Sequence, residues 1–386
     1  MKQAVRIFGK LEDIRQPRKV QHNLVDIVLM TLIGVMCNCT DWVEIAAFCR
    51  AREKHFKEYL ELPNGIPSHD TFQRVMGLVD PDHYAKCYQQ WVATIIPSKG
   101  ADYVSIDGKA VRGSGEKRRG QKPLHMVSAW STRYGITLAQ LKTMEKSNEI
   151  TAVPELLDML QIAGCVVTID AMGCQTKIAE KILQRGGDYV LAVKENQELL
   201  HREIQEYFTG AERDSYLEVP HYTAESLEKN HGRLEHRKCV QISECALLTR
   251  FHDFAGAQSI VQIKSQTVRN GEMVHDTRYF ISSLQGSDRN AQRIADAVRA
   301  HWGIENRCHW ALDVTFNEDA CRTRDLIAAQ NLTIVRKLAL ALSKRVPDEI
   351  VEKYSHGQAK YTSMKKRLFL ANLYPDFMME ILLTGL

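Results

Sequence analysis

Residues 103–114 read YVSIDGKAVRGS, an apolar run that meets an acid and then turns into glycines and cations. Tyr103, Val104 and Ile106 suit a buried strand, because aromatic and β-branched side chains pack well on a pleated surface, and Gly108 punctuates the run. The pattern predicts a strand over 103–106, with Asp107 at its carboxyl end. An acid there, beside Lys109 and Arg112, suits a divalent cation with a phosphate next to it: hard cations take oxygen ligands, and basic side chains hold phosphate. A solvated acid at a strand end would read the same. Partners elsewhere in the chain have to decide.

Residues 124–130 (LHMVSAW) and 136–143 (ITLAQLKT) read as two more strands of an antiparallel meander, joined by STRYG. Residues 149–164 show helical spacing and close on Gly164 as a cap. Residues 165–175, CVVTIDAMGCQ, repeat the opening pattern, an apolar strand ending on Asp170. A helix over 176–187 and a strand over 188–196, ending at Lys194, follow. Three strands, helix, strand, helix, strand is the order of a ribonuclease-H-like mixed sheet. That order places the first and fourth strands side by side, with Asp107 and Asp170 at one edge of the crevice where α/β sheets bind ligands.

Residues 211–285 alternate in the manner of strands, with a turn at 269–272 (RNGE), and read as a β-rich insertion. Within it, HGRLEHRK over 231–238 puts Arg233, Glu235 and Arg237 on one strand face, two cations placed for phosphate or paired in a surface ladder. The helical period returns over 290–313, where His301, Glu305 and His309 are four apart and share a face. An acid-and-arginine loop over 313–325 leads to an apolar helix with a basic end over 328–345 and a basic-amphipathic tail.

The N-terminal part is helical. NLVDIVLMTLIGV (23–35) reads as a buried helix, a second helix is expected over 41–60, and Ser68 is placed to cap a third. Helix, short turn, helix could set His69, Thr71, Gln73 and Arg74 against DNA. However, residues 1–100 carry thirteen Lys or Arg and eleven Asp or Glu, a nearly neutral balance. The expected domains are a helical one over 1–98, a catalytic one over 99–210 and 286–345, the insertion over 211–285 and a helical tail over 346–386.

At 386 residues, 44% apolar and 25% charged, the chain has the composition of an ordinary folded protein with room for two or three cores. Its net charge of +4 leaves nucleic-acid affinity to local clustering. Residues 105–124 supply such a cluster, six cations (Lys109, Arg112, Lys117, Arg118, Arg119 and Lys122) against two acids. The ten cysteines include no CxxC pair, which argues against a structural zinc site. Without a signal-like N-terminus, or an apolar run of the roughly 18 residues a bilayer needs, the reading is a cytoplasmic protein with reduced thiols and no membrane partner.

Two strand-end aspartates and a helix-borne glutamate are the inventory of a two-metal phosphoryl-transfer site. The chain moreover resembles the H-repeat-associated proteins, insertion-sequence transposases of the DDE type. The shared phrases run nearly its whole length: GIPSHDTFQRV, SIDGKAVRGS, TIDAMGCQ, GDYVLAVKENQ, HGRLEHR and HWGIENRCHW followed by LDV. The resemblance implies a triad of Asp107, Asp170 and Glu305, two Mg²⁺ or Mn²⁺ ions, and cleavage and joining of double-stranded DNA at element ends and target, with a homodimer on DNA. Lys109, Arg112, Lys117, Arg118, Arg119, Lys194, Arg233, Arg237 and His301 are the expected DNA contacts. The wider superfamily surrounds its glutamate with Tyr, Arg and Lys, where this chain has Val298, His301 and Leu312; His301, Arg307 and His309 are the substitutes at hand. Two rival readings stay open: a metallohydrolase that ligates through His301, Glu305 and His309, and a folded DNA-binding relic without turnover.

Overall fold

The structure is a computed structural model that describes residues 2–96, 100–143, 149–230, 233–243, 246–250, 253–269, 272–357 and 362–385. Its strands are β1 (Tyr103–Val111), β2 (Leu124–Ser131), β3 (Ile136–Thr143), β4 (Val166–Ile169), β5 (Asp188–Val193), β6 (His221–Asn230), β7 (Arg233–Ile242), β8 (Ser259–Arg269) and β9 (Glu272–Ser282). They form a single nine-stranded sheet in the order β3-β2-β1-β4-β5-β9-β8-β7-β6. β1 runs antiparallel to β2 and parallel to β4, and β4 runs parallel to β5, which is the ribonuclease-H-like mixed arrangement. The β-rich stretch joins this sheet directly, because β9 pairs antiparallel with β5.

β1 does not stop at Asp107. It continues through Gly108 to Val111, because β2 goes on pairing with it up to Val111↔Leu124 after β4 has ended at the rung Ile106↔Ile169. Asp107 is thus a mid-strand residue one position beyond the last parallel rung, level with Asp170. Gly164, expected as a helix cap, instead lies in the loop before β4, at φ +77°, and bonds Gly186; the helix ends at Asp158. The turn residues 270–271 lie outside the described residues, although Arg269 and Glu272 pair across the hairpin.

Helices cover both faces of the sheet. Glu149–Asp158, Thr176–Gln184 and Glu198–Arg213 share one core with its first side, through Leu156, Ile178, Ile182, Ile204 and Phe208. Asp288–Gly303 covers the other side with Ala291, Ile294 and Ala297 against Val166, Val190 and Phe280. Ser287 starts that helix by accepting the Asn290 N–H, an ordinary N-cap.

The N-terminal helices Leu24–Met36, Trp42–Ala51, His69–Met76 and Pro81–Ile95 do not close a core alone. They share one apolar cluster with Leu326–Arg345, Met364–Leu373 and Pro375–Gly385. The helix expected over 41–60 breaks at Arg52 into Trp42–Ala51 and Glu53–Phe56. Arg52 then donates to the Asn372 carbonyl, while the Asn372 amide donates to Cys37 at 2.8 Å. Leu326–Arg345 is, against the sequence expectation, long and apolar enough by length and composition to cross a membrane, and 83% of its apolar window is buried inside the protein. The nine described cysteines are all buried and unbridged.

Candidate active site

Asp107, on β1, is largely buried. Its Oδ1 accepts the N–H of Gly108 at 2.9 Å, and its Oδ2 stands 3.4 Å from His309 Nδ1. Burial pushes its carboxyl up to about 7; the Gly108 N–H works against this, and Asp170, Glu305 and Glu149 add to it by like charge. Three other carboxylates therefore lie within electrostatic reach of Asp107. Asp170 follows β4 and caps the turn Ala171–Gly173, its Oδ1 accepting the Gly173 N–H at 3.4 Å.

Glu305 is exposed, on a π-helical turn (Ile304–His309) that joins Asp288–Gly303 to Trp310–Val314. Such one-turn widenings recur at functional sites because the extra residue re-aims the side chains around it. Ile304 and Cys308 stay fully buried and anchor the turn. Asp170, Glu305, Lys194, His201, His301 and Arg278 line a cleft of about 570 Å³. Among the described residues no three His, Cys, Asp or Glu side chains stand close enough together to enclose one ion. The donor set is nevertheless of the type hard cations take, carboxylates whose mutual repulsion a cation would relieve.

The widened turn also separates His301 from His309. His301 Nδ1 meets Thr168 Oγ1 at 3.0 Å, and burial, with Arg278 nearby, holds its pKa down to about 4. His309 turns to Asp107, and burial followed by Lys337 and Lys109 pulls it down to about 3. Both are neutral imidazoles at pH 7 and aim at different partners, so the described geometry does not gather His301, Glu305 and His309 around one ion. His301 is likewise not placed as a cation for phosphate.

The expected DNA-contacting cations divide. Lys109, only 10% exposed, is enclosed by Asp313 at 2.7 Å, Glu318 at 2.8 Å and Asp319 at 3.2 Å. Its charge serves the protein's own carboxylates. Arg112, Lys117, Arg118 and Arg119 are exposed, with Arg112 near Asp319 and Arg119 near Glu116, both at 3.5 Å. The loop bearing them is pinned: Arg324 donates to the Gly113 and Gly115 carbonyls, and Gln121 donates to the carbonyls of Ser114 at 2.7 Å and Arg324 at 2.8 Å. Lys194 is exposed at the cleft. Arg237 is paired with Glu235 at 2.6 Å and lies 3.9 Å from Glu228. Arg233 opens β7, and its side chain lies outside the described residues.

No local pattern marks the buried pair behind Asp107. His125 Nε2 lies 2.6 Å from Glu149 Oε1, and a Cβ on Gly108 would fall 2.3 Å from that oxygen. Gly108 is small because this pair presses on it. The Lys109 clamp had one visible signal, the acids of the 313–325 loop, which lacked a counter-charge until the fold brought β1 beside them.

Comparison with known proteins shows the family of the chain. Residues 93–342 match the family described as "Transposase DDE domain", and residues 5–92 match the one described as "DDE_Tnp_1-associated". The chain is similar to "H repeat-associated putative transposase YhhI" of Escherichia coli K12, 38% identical over 88% of this chain and 90% of the relative. It is also similar to "Putative transposase YncI" of Escherichia coli O157:H7, 38% identical over 88% of this chain and 86% of the relative. Among solved structures, the cryo-EM piggyBac transposase synaptic complex with hairpin DNA aligns over 98% of this chain and 77% of its own, with TM-score 0.40 and 12% identity. That overlap is too loose to carry any detail.

Proposed function

The chain belongs to the family of transposase DDE domains, and from that premise we propose that it cleaves DNA strands at the ends of an insertion sequence and joins them to a target. The observation that carries the reading is the juxtaposition of Asp107 and Asp170 just past the last rung of two parallel neighbours, with Glu305 near enough to raise Asp107.

Asp107, Asp170 and Glu305 would hold the two Mg²⁺ or Mn²⁺ ions, which when bound supply Lewis-acid activation of the attacking oxygen and stabilisation of the leaving one. The protein's own part is to present carboxylate oxygens from a rigid sheet and to hold the DNA. Arg112, Lys117, Arg118 and Arg119 form a pinned basic edge, and Lys194 adds a cation in the cleft. A charged plate of this kind orients a phosphate backbone without reading bases. The working assembly is a homodimer on double-stranded DNA in the cytoplasm.

The test is incubation of the purified chain with its flanking element DNA and Mg²⁺ or Mn²⁺, scored for nicks at the ends. Asp107→Asn, Asp170→Asn and Glu305→Gln should each abolish nicking while the protein stays folded, since each keeps shape and removes one charged ligand. Any of the three cutting at the wild-type rate would strike that residue from the site. No metal-dependent cutting by the wild type would identify a relic.

A further inference from the structure

We infer that His309 is a positioning residue, which fixes the Asp107 carboxylate so that one oxygen is presented to the bound cation. The inference rests on the reading of Asp107 as a metal ligand. The Asp107 carboxylate has two oxygens with different neighbours. Oδ1 takes the N–H of the adjacent Gly108 at 2.9 Å, and Oδ2 stands 3.4 Å from His309 Nδ1. With the side chains of His309 and Asp107 only 12% and 19% exposed, bulk water does little to hold that oxygen.

A neutral imidazole carries one proton, and beside a carboxylate that proton belongs on Nδ1. Nε2 is then an acceptor, and it is buried with no hydrogen-bond partner among the described residues. A buried imidazole nitrogen without a partner costs free energy. Packing alone would be served more cheaply by an apolar side chain, so the ring is retained for what Nδ1 does. The backbone supports the assignment. His309 closes the π-helical turn whose other members include the exposed Glu305 and the fully buried Cys308. The widened turn thus carries one carboxylate at the cleft and, four residues on, an imidazole turned inward to the carboxylate on β1. Groups that orient a metal ligand typically change metal affinity 10- to 100-fold when removed.

The test uses the full-length chain without DNA, reading the rise in melting temperature as Mn²⁺ is added, for wild type, His309→Asn and His309→Gln. The Asn amide reaches the position of Nδ1–H, and the Gln amide reaches that of Nε2. His309→Gln should need at least about tenfold more Mn²⁺ for half the shift, and His309→Asn should return to within about threefold of wild type, with the Mn²⁺ dependence of nicking in the same order. A purely structural histidine would lower the metal-free melting temperature of both variants and leave the Mn²⁺ midpoints unchanged, and that result overturns the inference. If His309→Gln does not fold, His309→Ala with added imidazole replaces it, and a midpoint that imidazole fails to restore counts against the role. A wild type that does not respond to Mn²⁺ removes the metal reading itself, and the inference with it, whereas a responding wild type with indifferent variants removes the inference alone.

Discussion

Replacing Lys109 by Met should destabilise the protein by about 3–5 kcal/mol, the cost of removing one partner from a buried ion cluster. The magnitude follows from what is left behind. Lys109 is 10% exposed, touches three carboxylates within 3.2 Å, and one of them, Glu318, is 1% exposed. Burial drives the Glu318 carboxyl up, and the charges of Lys109 and Arg336 outweigh this, so its pKa lies below the ordinary value. A group depressed in this way stabilises the fold above its unfolded pKa and ceases to do so as pH falls through the folded one. Without Lys109 the same carboxylate is buried beside Asp313 and Asp319, and it escapes the cost only by taking up a proton. The loss should therefore be largest near pH 7.5 and shrink toward pH 4. Urea unfolding at both pH values measures it, and Glu318→Gln added to Lys109→Met should recover more than 1 kcal/mol, as coupled neighbours do. A Lys109→Met protein as stable as wild type, with a DNA-binding salt slope lower by about one, would refute the clamp and return Lys109 to the phosphate contacts.

Changing Arg112, Lys117, Arg118 and Arg119 to Ala should weaken binding to all DNA sequences alike and flatten the salt dependence by about one slope unit per lost contact, read by titration at several salt concentrations; a loss confined to one end sequence would make them base readers. His301, held at about 4 against an ordinary 6.5, favours the fold fully above pH 6.5 and loses that contribution as pH falls through 4, an effect of about 3 kcal/mol. His301→Asn should flatten the stability curve over that range, and parallel curves would mean that the ring is not buried neutral. Gly113→Ala should destabilise by more than about 1 kcal/mol in thermal melts, since its Cβ would lie 2.1 Å from the Cys321 carbonyl, which is backbone and cannot swing aside; an unchanged melting temperature would show the basic loop to be less tightly pinned.

The pairing of β1 with β4 was legible because both open on β-branched and aromatic residues followed by an acid, and the repeat of that pattern at 103–107 and 166–170 marks the two strands that become neighbours. The far end of β1 was not. Gly108, Lys109 and Ala110 have poor strand propensity, and what keeps them extended is the partner strand β2, a tertiary effect that local pattern does not contain. Helical spacing put His301, Glu305 and His309 on one face, but it assumes 3.6 residues per turn, and Glu305 and His309 lie on the π-helical turn Ile304–His309 that follows the helix bearing His301. Counting charges could not separate Lys109 from Arg112, three residues away. Only the fold shows that one is enclosed by acids and the other faces water. The buried His125 and Glu149 pair had no local signature at all.

The shared core of the first and last helices sets a schedule for making the protein. Its N-terminal helices leave the ribosome first, yet Leu24–Met36 and Pro81–Ile95 share their core with Leu326–Arg345, Met364–Leu373 and Pro375–Gly385. Roughly 250 residues, the whole sheet included, must be synthesised in between, which at about 5–20 residues per second is on the order of 12 to 50 seconds. For that interval the nascent chain carries an unclosed hydrophobic surface, a natural client for chaperones. A message cut short just before codon 326 would yield a polypeptide that retains Asp107, Asp170 and Glu305 but lacks Leu326–Arg345, the helix that covers the N-terminal ones.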